Sequence, residues 1–176
     1  MTGQPSVRKR MHPAFFVPTL YFAEGLPYNV VNFLLANMYK NMGVSNTAIA
    51  FHTSLLVLAW TVKPLWSPVV EMFRIKREWV LAMEFGMAVL LGCVALAVPL
   101  PSFMPVTLAF MWIVAFFSAT QDIAADGLYI SVMNSREQST WVGVQGFFWL
   151  LAKTVMTGSM VMLSGYLHRS GMSWAH

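Results

Sequence analysis

The chain has 176 residues, of which 57% are hydrophobic and only 10% are charged. A soluble domain of this size could not bury so much apolar surface, so the composition excludes an ordinary soluble protein and predicts an all-α membrane protein. We interpret the net charge of +4 as attraction to anionic lipid, which requires no nucleic-acid partner. The single Cys93 excludes an internal disulfide, a redox pair and a cysteine-based metal site, and we expect no cofactor.

Five long apolar runs follow one another along the chain. Each has about the 20 residues that are required to cross a bilayer. Short segments rich in proline or polar residues separate them and leave no room for a soluble domain. We therefore expect a cytoplasmic N-terminal tail over 1–13 and one membrane unit over 14–176. The predicted helices cover residues 14–39, 47–70, 79–98, 105–130 and 141–166.

Basic residues are distributed unequally between the two sides of this predicted bundle. Seven lie in the tail and in the loops after the second and fourth runs, whereas two lie in the alternate loops. The positive-inside rule then predicts a cytoplasmic N-terminus, and we expect a multi-pass protein of a bacterial inner membrane. The seven are Arg8, Lys9, Arg10, Arg74, Lys76, Arg77 and Arg136, and the two are Lys40 and Arg169.

Polar and ionisable residues recur at helical spacing in four of the five runs. Residues four, seven, eight or eleven apart lie on one face of an α-helix. An ionisable group in a bilayer costs about 2.5 kcal/mol or more unless it faces protein or water. The third run has only Glu84 and is predicted to be peripheral. The polar stripes are Tyr21, Glu24, Tyr28 and Asn32 in the first run, His52, Trp60, Lys63 and Ser67 in the second, Ser118, Asp122, Asp126 and Tyr129 in the fourth, and Gln145, Trp149, Lys153, Thr157 and Ser164 in the fifth.

The charged members of these stripes have alternative interpretations. Glu24 and Lys153 are predicted to lie near the middle of the membrane, where they form either an ion pair that only fixes packing or part of a polar path. Lys63 needs a carboxylate nearby, and Asp122 is the obvious partner. Asp126 either forms a structural ion pair at the cytoplasmic end of its helix or belongs to the same path.

Three segments resemble the motifs of one known family. YFAEGLP at 21–27, KPLWSPVVE at 63–71 and AFFSATQDIAAD at 115–126 resemble the first-, second- and fourth-helix motifs of AmpG-type muropeptide permeases and acetyl-coenzyme A transporters. These are a branch of the major facilitator superfamily. The resemblance implies a fold of two six-helix halves, with the third and sixth helices of each half as outer supports. The chain would then form five helices of the N-terminal half, as a fragment whose missing C-terminal helices are its partner.

The resemblance also implies roles for individual stripe residues. Lys63, Asp122 and Asp126 match family positions, and Lys153 stands where these permeases usually have a basic residue. They are expected to contact the solute or to take part in coupling. Glu24 replaces a small or neutral residue of the motif, so its role is not inherited.

A cytoplasmic gating loop is expected after the second helix. The superfamily has charged residues there, and this chain has Glu71, Arg74 and Arg77. Tyr129 occupies a position that is often basic, and Gln138 with the next serine replaces an Arg-Gly step. The usual gating ion pairs are therefore not all available, which indicates a divergent member.

The residues and the resemblance together predict a secondary active transporter that is coupled to protons. Its solute would be anionic or polar and organic, muropeptide-like or acyl-coenzyme A-like by resemblance. Lys153 and Lys63 would attract anionic groups, and Glu24 or Asp122 would bind and release the proton. The predicted cavity lining consists of Tyr21, Tyr28, Asn32, Trp60, Ser118, Gln145, Trp149 and Thr157.

Two other classes of function were weighed against transport. A five-helix membrane receptor, scaffold or truncated remnant would need no transport path. An intramembrane aspartyl protease would need two carboxylates that converge from different helices. Asp122 and Asp126 are instead four residues apart on one run, about 6 Å along the axis. Neither an enzyme nor a metal site is expected.

Overall fold

The computed structural model describes residues 12–72 and 75–169, and these residues are almost entirely helical. No strand occurs in these two ranges, which confirms the predicted all-α fold. The elements are α1 (Pro13–Asn29), a π-helix (Val30–Leu34), α2 (Leu35–Asn41), α3 (Asn46–Leu56), α4 (Leu58–Thr61), a 3-10 helix (Lys63–Leu65), α5 (Ser67–Met72), α6 (Lys76–Ala97), α7 (Phe103–Val132) and α8 (Ser135–Arg169).

The five predicted runs correspond to five helical stretches. The first stretch contains α1, the π-helix and α2, the second contains α3 to α5, and α6, α7 and α8 are the remaining three. Within the described part of the chain, four helical stretches are long and apolar enough to cross a membrane, which confirms a membrane protein. The first stretch stays a predicted span. The four are Asn46–Leu65, Lys76–Ala97, Phe103–Val132 and Ser135–Leu163.

Prolines interrupt the second stretch. Pro64 lies in the 3-10 helix, and Pro68 lies in the first turn of α5. In the first stretch, the π-helix begins three residues after Pro27. Proline lacks an N–H group and disturbs the regular hydrogen-bond ladder, which accounts for the interruption of the second stretch. Single π-helical turns frequently occur at functional sites.

The helix α8 begins six residues before the predicted start at 141. The Glu137 N–H donates to the Asn134 side-chain oxygen, and the Asn134 N–H donates to the Glu137 carboxylate, both at 2.9 Å. This reciprocal pair satisfies two N–H groups at the helix N-terminus. Residues 135–140, predicted as a loop, therefore belong to the helix.

The helix α7 lies at the centre of the bundle. It contacts α6, α1 and the helices of the second stretch, whereas α8 packs against α1 and the π-helix. The helix α6 packs mainly against α7, which agrees with the peripheral position predicted for the third run. Two apolar clusters form the core, one around Leu35, Leu56 and Met111 and one around Val17 and Ala124. Both clusters include residues of α7, so this helix holds the bundle together.

Candidate functional site

A cavity of about 470 Å³ lies between α1, α7 and α8, and three carboxylates line it. We call it the acidic cavity. Its residues recur every three or four positions on each helix, which places them on one face of that helix. Six of them belong to the polar stripes seen in the sequence. The lining consists of Tyr21, Glu24, Asp122, Asp126, Val142, Gln145, Gly146, Trp149 and Leu150.

The Lys63 amine forms an ion pair with Asp122, as the sequence predicted. It is the one ion pair found within residues 12–72 and 75–169. The two side chains are 28% and 17% exposed, so water reaches the pair only partly. Lys63 belongs to the 3-10 helix that interrupts the second stretch. At this interruption the Lys63 amine contacts Asp122 on α7.

Asp126 is bound to α1 by a hydrogen bond. The Tyr21 hydroxyl donates to Asp126 Oδ1 at 2.9 Å. The Tyr21 ring also meets the Tyr129 ring edge-on, with 5.6 Å between the ring centroids, and the Tyr129 hydroxyl donates to the Gln138 carbonyl at 2.9 Å. The structural ion pair considered for Asp126 is not formed among the described residues.

Glu24 is buried in the wall of the acidic cavity. Its side chain is 8% exposed, and Oε2 has no hydrogen-bond partner. The ion pair considered between Glu24 and Lys153 is not formed, because the Lys153 amine lies 4.7 Å from the centroid of the Phe33 ring. A buried carboxylate without a partner is far less costly when it carries a proton.

The helices α1 and α8 approach most closely at Gly25. A Cβ atom at Gly25 would lie 2.9 Å from the Ala152 Cβ and 3.1 Å from the Trp149 carbonyl oxygen. Beside this contact, the Tyr28 ring packs against Trp60 and Trp149, with centroid distances of 5.0 and 5.3 Å. We call this close approach the Gly25 contact, and it closes the acidic cavity at one end of the α1–α8 interface.

The other residues of the predicted cavity lining have different surroundings. Ser118 is buried on α7. Asn32 donates to the Tyr28 carbonyl at 2.8 Å. Thr157 lines a second pocket, which lies between the first stretch and α8. Their contact with a solute stays a prediction.

Two of the three predicted gating residues, Glu71 and Arg77, lie at the ends of α5 and α6. Glu71 accepts a hydrogen bond of 3.4 Å from the Ser67 hydroxyl, and Arg77 is exposed in the first turn of α6. Arg74 lies outside the described residues. The role of this loop in gating stays a prediction.

Three buried polar groups were missed by the sequence interpretation. Gln121 is fully buried with neither amide atom paired, and Asn29 Oδ1 and Trp66 Nε1 are also buried without a partner. Such atoms are rare in proteins, because nearly all buried polar atoms have a hydrogen-bond partner. The signal for Gln121 was present, because it immediately precedes Asp122 within the fourth-helix motif.

The model of one protein family, the BT1 family, matches residues 22–173. The match includes every residue of the acidic cavity except Tyr21. The chain belongs to the BT1 family. This family lies within the major facilitator superfamily and includes AmpG and acetyl-coenzyme A transporter-like proteins, which confirms the resemblance of the three motifs. No solved structure matches the chain.

Membership of the BT1 family makes the chain an integral, multi-pass membrane transport protein. Asp122 is held by Lys63 and Asp126 by Tyr21, so the two aspartates do not share one proton as a protease pair does. Across 12–72 and 75–169, no group of three or more His, Cys, Asp or Glu side chains is arranged to hold a metal ion.

Proposed function

We propose that this BT1 family member is a secondary active transporter that couples the movement of an anionic or polar organic solute to protons. The solute is muropeptide-like or acyl-coenzyme A-like. The observation that carries the proposal is Glu24, which is 8% exposed, has an unpartnered oxygen and shares the acidic cavity with Asp122 and Asp126. An ionisable residue held in this way within a membrane is a functional site by default.

The charge balance of the acidic cavity favours proton binding at Glu24. Three carboxylates line the cavity, and Lys63 neutralises Asp122. Asp126 accepts the Tyr21 hydrogen bond at Oδ1, so that oxygen has a donor. Glu24 has neither kind of support at Oε2, so it is the carboxylate for which a proton relieves the greatest cost. Opening the cavity to water would release that proton, which links protonation to cavity closure.

Two cations are available for an anionic solute. The Lys63 amine contacts Asp122, and a solute carboxylate or phosphate would compete for it. The Lys153 amine lies over the Phe33 ring and forms no ion pair with a described residue. A cation held against an aromatic ring keeps its charge available to a second partner. We assign the first contact with the anionic group to Lys153.

The orientation in the membrane is part of the same proposal. The excess of basic residues on one side supports a cytoplasmic N-terminus in a bacterial inner membrane. A cysteine placed at Ser102, between α6 and α7, should react with an impermeant maleimide from outside intact cells. A cysteine at Asn134, between α7 and α8, should react only after the cells are opened. The reverse pattern would contradict the orientation.

Uptake by the full-length protein in lipid vesicles tests the transport proposal. A proton gradient should accelerate the uptake of a labelled muropeptide or acyl-coenzyme A over that of a neutral sugar. Glu24→Gln should abolish the dependence on the gradient while solute exchange between the two sides continues, because the neutral amide needs no proton. Asp122→Asn should weaken both activities. Glu84→Gln is the matched control, because Glu84 lies on the peripheral α6, and it should keep normal coupling.

The same measurements can overturn the proposal. Wild-type coupling in both Glu24→Gln and Asp122→Asn would exclude these residues as the proton site. If the folded protein moved none of the solutes at any pH or gradient, a receptor or scaffold would become the better interpretation.

A further inference from the structure

The second pocket, between the first helical stretch and α8, has a volume of about 190 Å³. Apolar side chains predominate in its lining, and none of the described side chains that line it is ionisable. Asn29 is fully buried and belongs to its closed wall, whereas Phe33 is 40% exposed. The pocket therefore offers an open aromatic surface and no charge of its own.

Lys153 lies at the edge of this pocket. Its amine is 4.7 Å from the centroid of the Phe33 ring, and the same ring lines the pocket. Lys153 precedes Met156 by three residues and Thr157 by four, so the three lie on one face of α8. Met156 and Thr157 also line the pocket. A positive charge thus stands beside a pocket whose lining is uncharged.

The charge of Lys153 is available to an anion. Within 12–72 and 75–169, the one ion pair joins Lys63 to Asp122. The contact with Phe33 attracts the ammonium group without neutralising its charge. An ammonium group has three N–H donors, so a carboxylate or phosphate can bind it while the ring stays in place.

The two cavities differ in how they treat an anion. Three carboxylates line the acidic cavity, and Lys63 neutralises one of them. The remaining negative charges would repel an anionic group, unless protons neutralised them. The second pocket has no lining carboxylate. An anionic group therefore binds more favourably at Lys153 with the attached part of the solute in the second pocket.

Volume and surface define that attached part. An engineered apolar cavity of about 150 Å³ binds benzene, so the second pocket accommodates about one ring. The Phe33 ring and the thioethers of Met156 and Met160 provide surfaces for an aromatic or apolar group. A muropeptide or an acyl-coenzyme A is much larger than one ring. The pocket would then hold only the part of such a solute that lies next to its anionic group.

We propose that Lys153 and the second pocket form one subsite for the solute, in which Lys153 binds an anionic group and the pocket takes the ring-sized apolar group attached to it. The inference rests on the proposed function and narrows its substrate class. It favours anions whose charge lies next to an apolar ring over small hydrophilic anions and over neutral rings. The acidic cavity, which Lys153 does not line, then serves the proton.

Binding of three probes to the full-length protein in nanodiscs of zwitterionic lipid tests this subsite. Benzoate has a ring and a negative charge, benzamide has the same ring without the charge, and acetate has the charge without the ring. Saturation-transfer NMR, with empty nanodiscs as background, should show benzoate binding about fivefold tighter than either of the others. The two differences separate the contribution of the Lys153 charge from that of the pocket.

Two variants should each remove one of these differences. Lys153→Met should reduce benzoate binding to the level of benzamide and leave benzamide binding unchanged, whereas Lys153→Arg should keep the preference for benzoate. Met160→Trp fills the pocket and should reduce benzoate binding to the level of acetate. Thr154→Val, on the same helix but outside the pocket lining, is the matched control and should bind all three probes as the wild type does.

Equal binding of benzoate and benzamide by the wild type would overturn the inference, and so would a Lys153→Met protein that still prefers benzoate. Neither result depends on the folding of Met160→Trp. Muropeptide uptake that requires Lys153, together with no preference for benzoate, would contradict the subsite and leave the transport proposal standing. Selective benzoate binding without proton-dependent uptake would contradict the transport proposal and leave the subsite standing.

Discussion

The α1–α8 and α6–α7 interfaces both join long helices, but they contain different chemistry. At the α6–α7 interface, Met87 and Val94 pack with Met111 and Val114 in the larger apolar cluster. The α1–α8 interface contains the acidic cavity and the Gly25 contact, and the second pocket lies between the first stretch and α8. A close-packed apolar interface can only hold helices together, whereas cavities separated by a narrow contact can bind and pass a solute. We therefore expect α6–α7 to support the bundle and α1–α8 to take part in transport, if the proposed function holds.

The glycines of the two interfaces show the same difference. A Cβ at Gly25 would meet the Ala152 Cβ and the Trp149 carbonyl oxygen, which cannot move without moving α8. A Cβ at Gly86 would meet the edge of the Phe117 ring, and a ring can shift by changing its side-chain torsions. Variants that distinguish the two interfaces follow, from the largest expected effect to the smallest.

Breaking the Lys63–Asp122 ion pair should have the largest effect on stability. Lys63→Ala would leave Asp122 partly buried without its counter-charge, and we expect a loss of about 3 kcal/mol of unfolding free energy. The double variant Lys63→Met/Asp122→Leu should regain at least half of that loss, because no charge is then left unpaired. Chemical unfolding in detergent measures both. If the double variant lost as much as the sum of the single variants, the two charges would not be coupled.

Substitution at the Gly25 contact should have the next largest effect. Gly25→Ala forces α1 and α8 apart, and overpacking of this kind costs about 1–3 kcal/mol. Ala152→Gly in the same protein should restore most of the stability and the transport rate. Gly158→Ala, on α8 with nothing near its Cβ position, is the control and should be harmless. An unaffected Gly25→Ala would show that the Gly25 contact opens freely.

Removal of the Tyr21 hydroxyl should have a smaller and more specific effect. Tyr21→Phe removes the hydrogen bond to Asp126, and hydrogen bonds to charged groups contribute about 1.5–3 kcal/mol. Because Asp126 is exposed, we expect the lower end of that range. Tyr129→Phe removes a bond to a neutral carbonyl and should cost about 1 kcal/mol without changing proton coupling. Equal effects of both variants on coupling would contradict a special role for Asp126.

Much of the fold could be predicted because it depends on local patterns. Apolar runs and polar stripes predicted the helical stretches and the peripheral α6. The early start of α8 was missed although Asn134 and Glu137 have the spacing of a capping box. The π-helix could not be predicted, because a single wide turn after Pro27 depends on how the neighbouring helices pack.

The contacts of the candidate site could be predicted from the sequence only where a charged side chain requires an oppositely charged partner. Lys63 needed a carboxylate, and it contacts Asp122. Glu24 and Lys153 were expected at similar depth, but depth does not determine the direction of a side chain, and Lys153 faces Phe33. Asn29 was missed because it lies off the stripe of the first run. Its contribution to a pocket depends on the π-helix and on the distance between two helices.

Replacing Gly92 on α6 by alanine should have the smallest effect on stability. Unlike the other substitutions, it should stabilise the protein. Nothing lies within 4 Å of a Cβ at Gly92, so Gly92→Ala gains helix propensity without a clash and should stabilise by about 0.5–1 kcal/mol. Gly43→Ala should instead destabilise, because Gly43 has φ of 80°. Thermal unfolding and vesicle uptake should show a more stable Gly92→Ala protein with an unchanged transport rate. A slower rate would mean that α6 moves during transport, and the division between a supporting and a working interface would then be wrong.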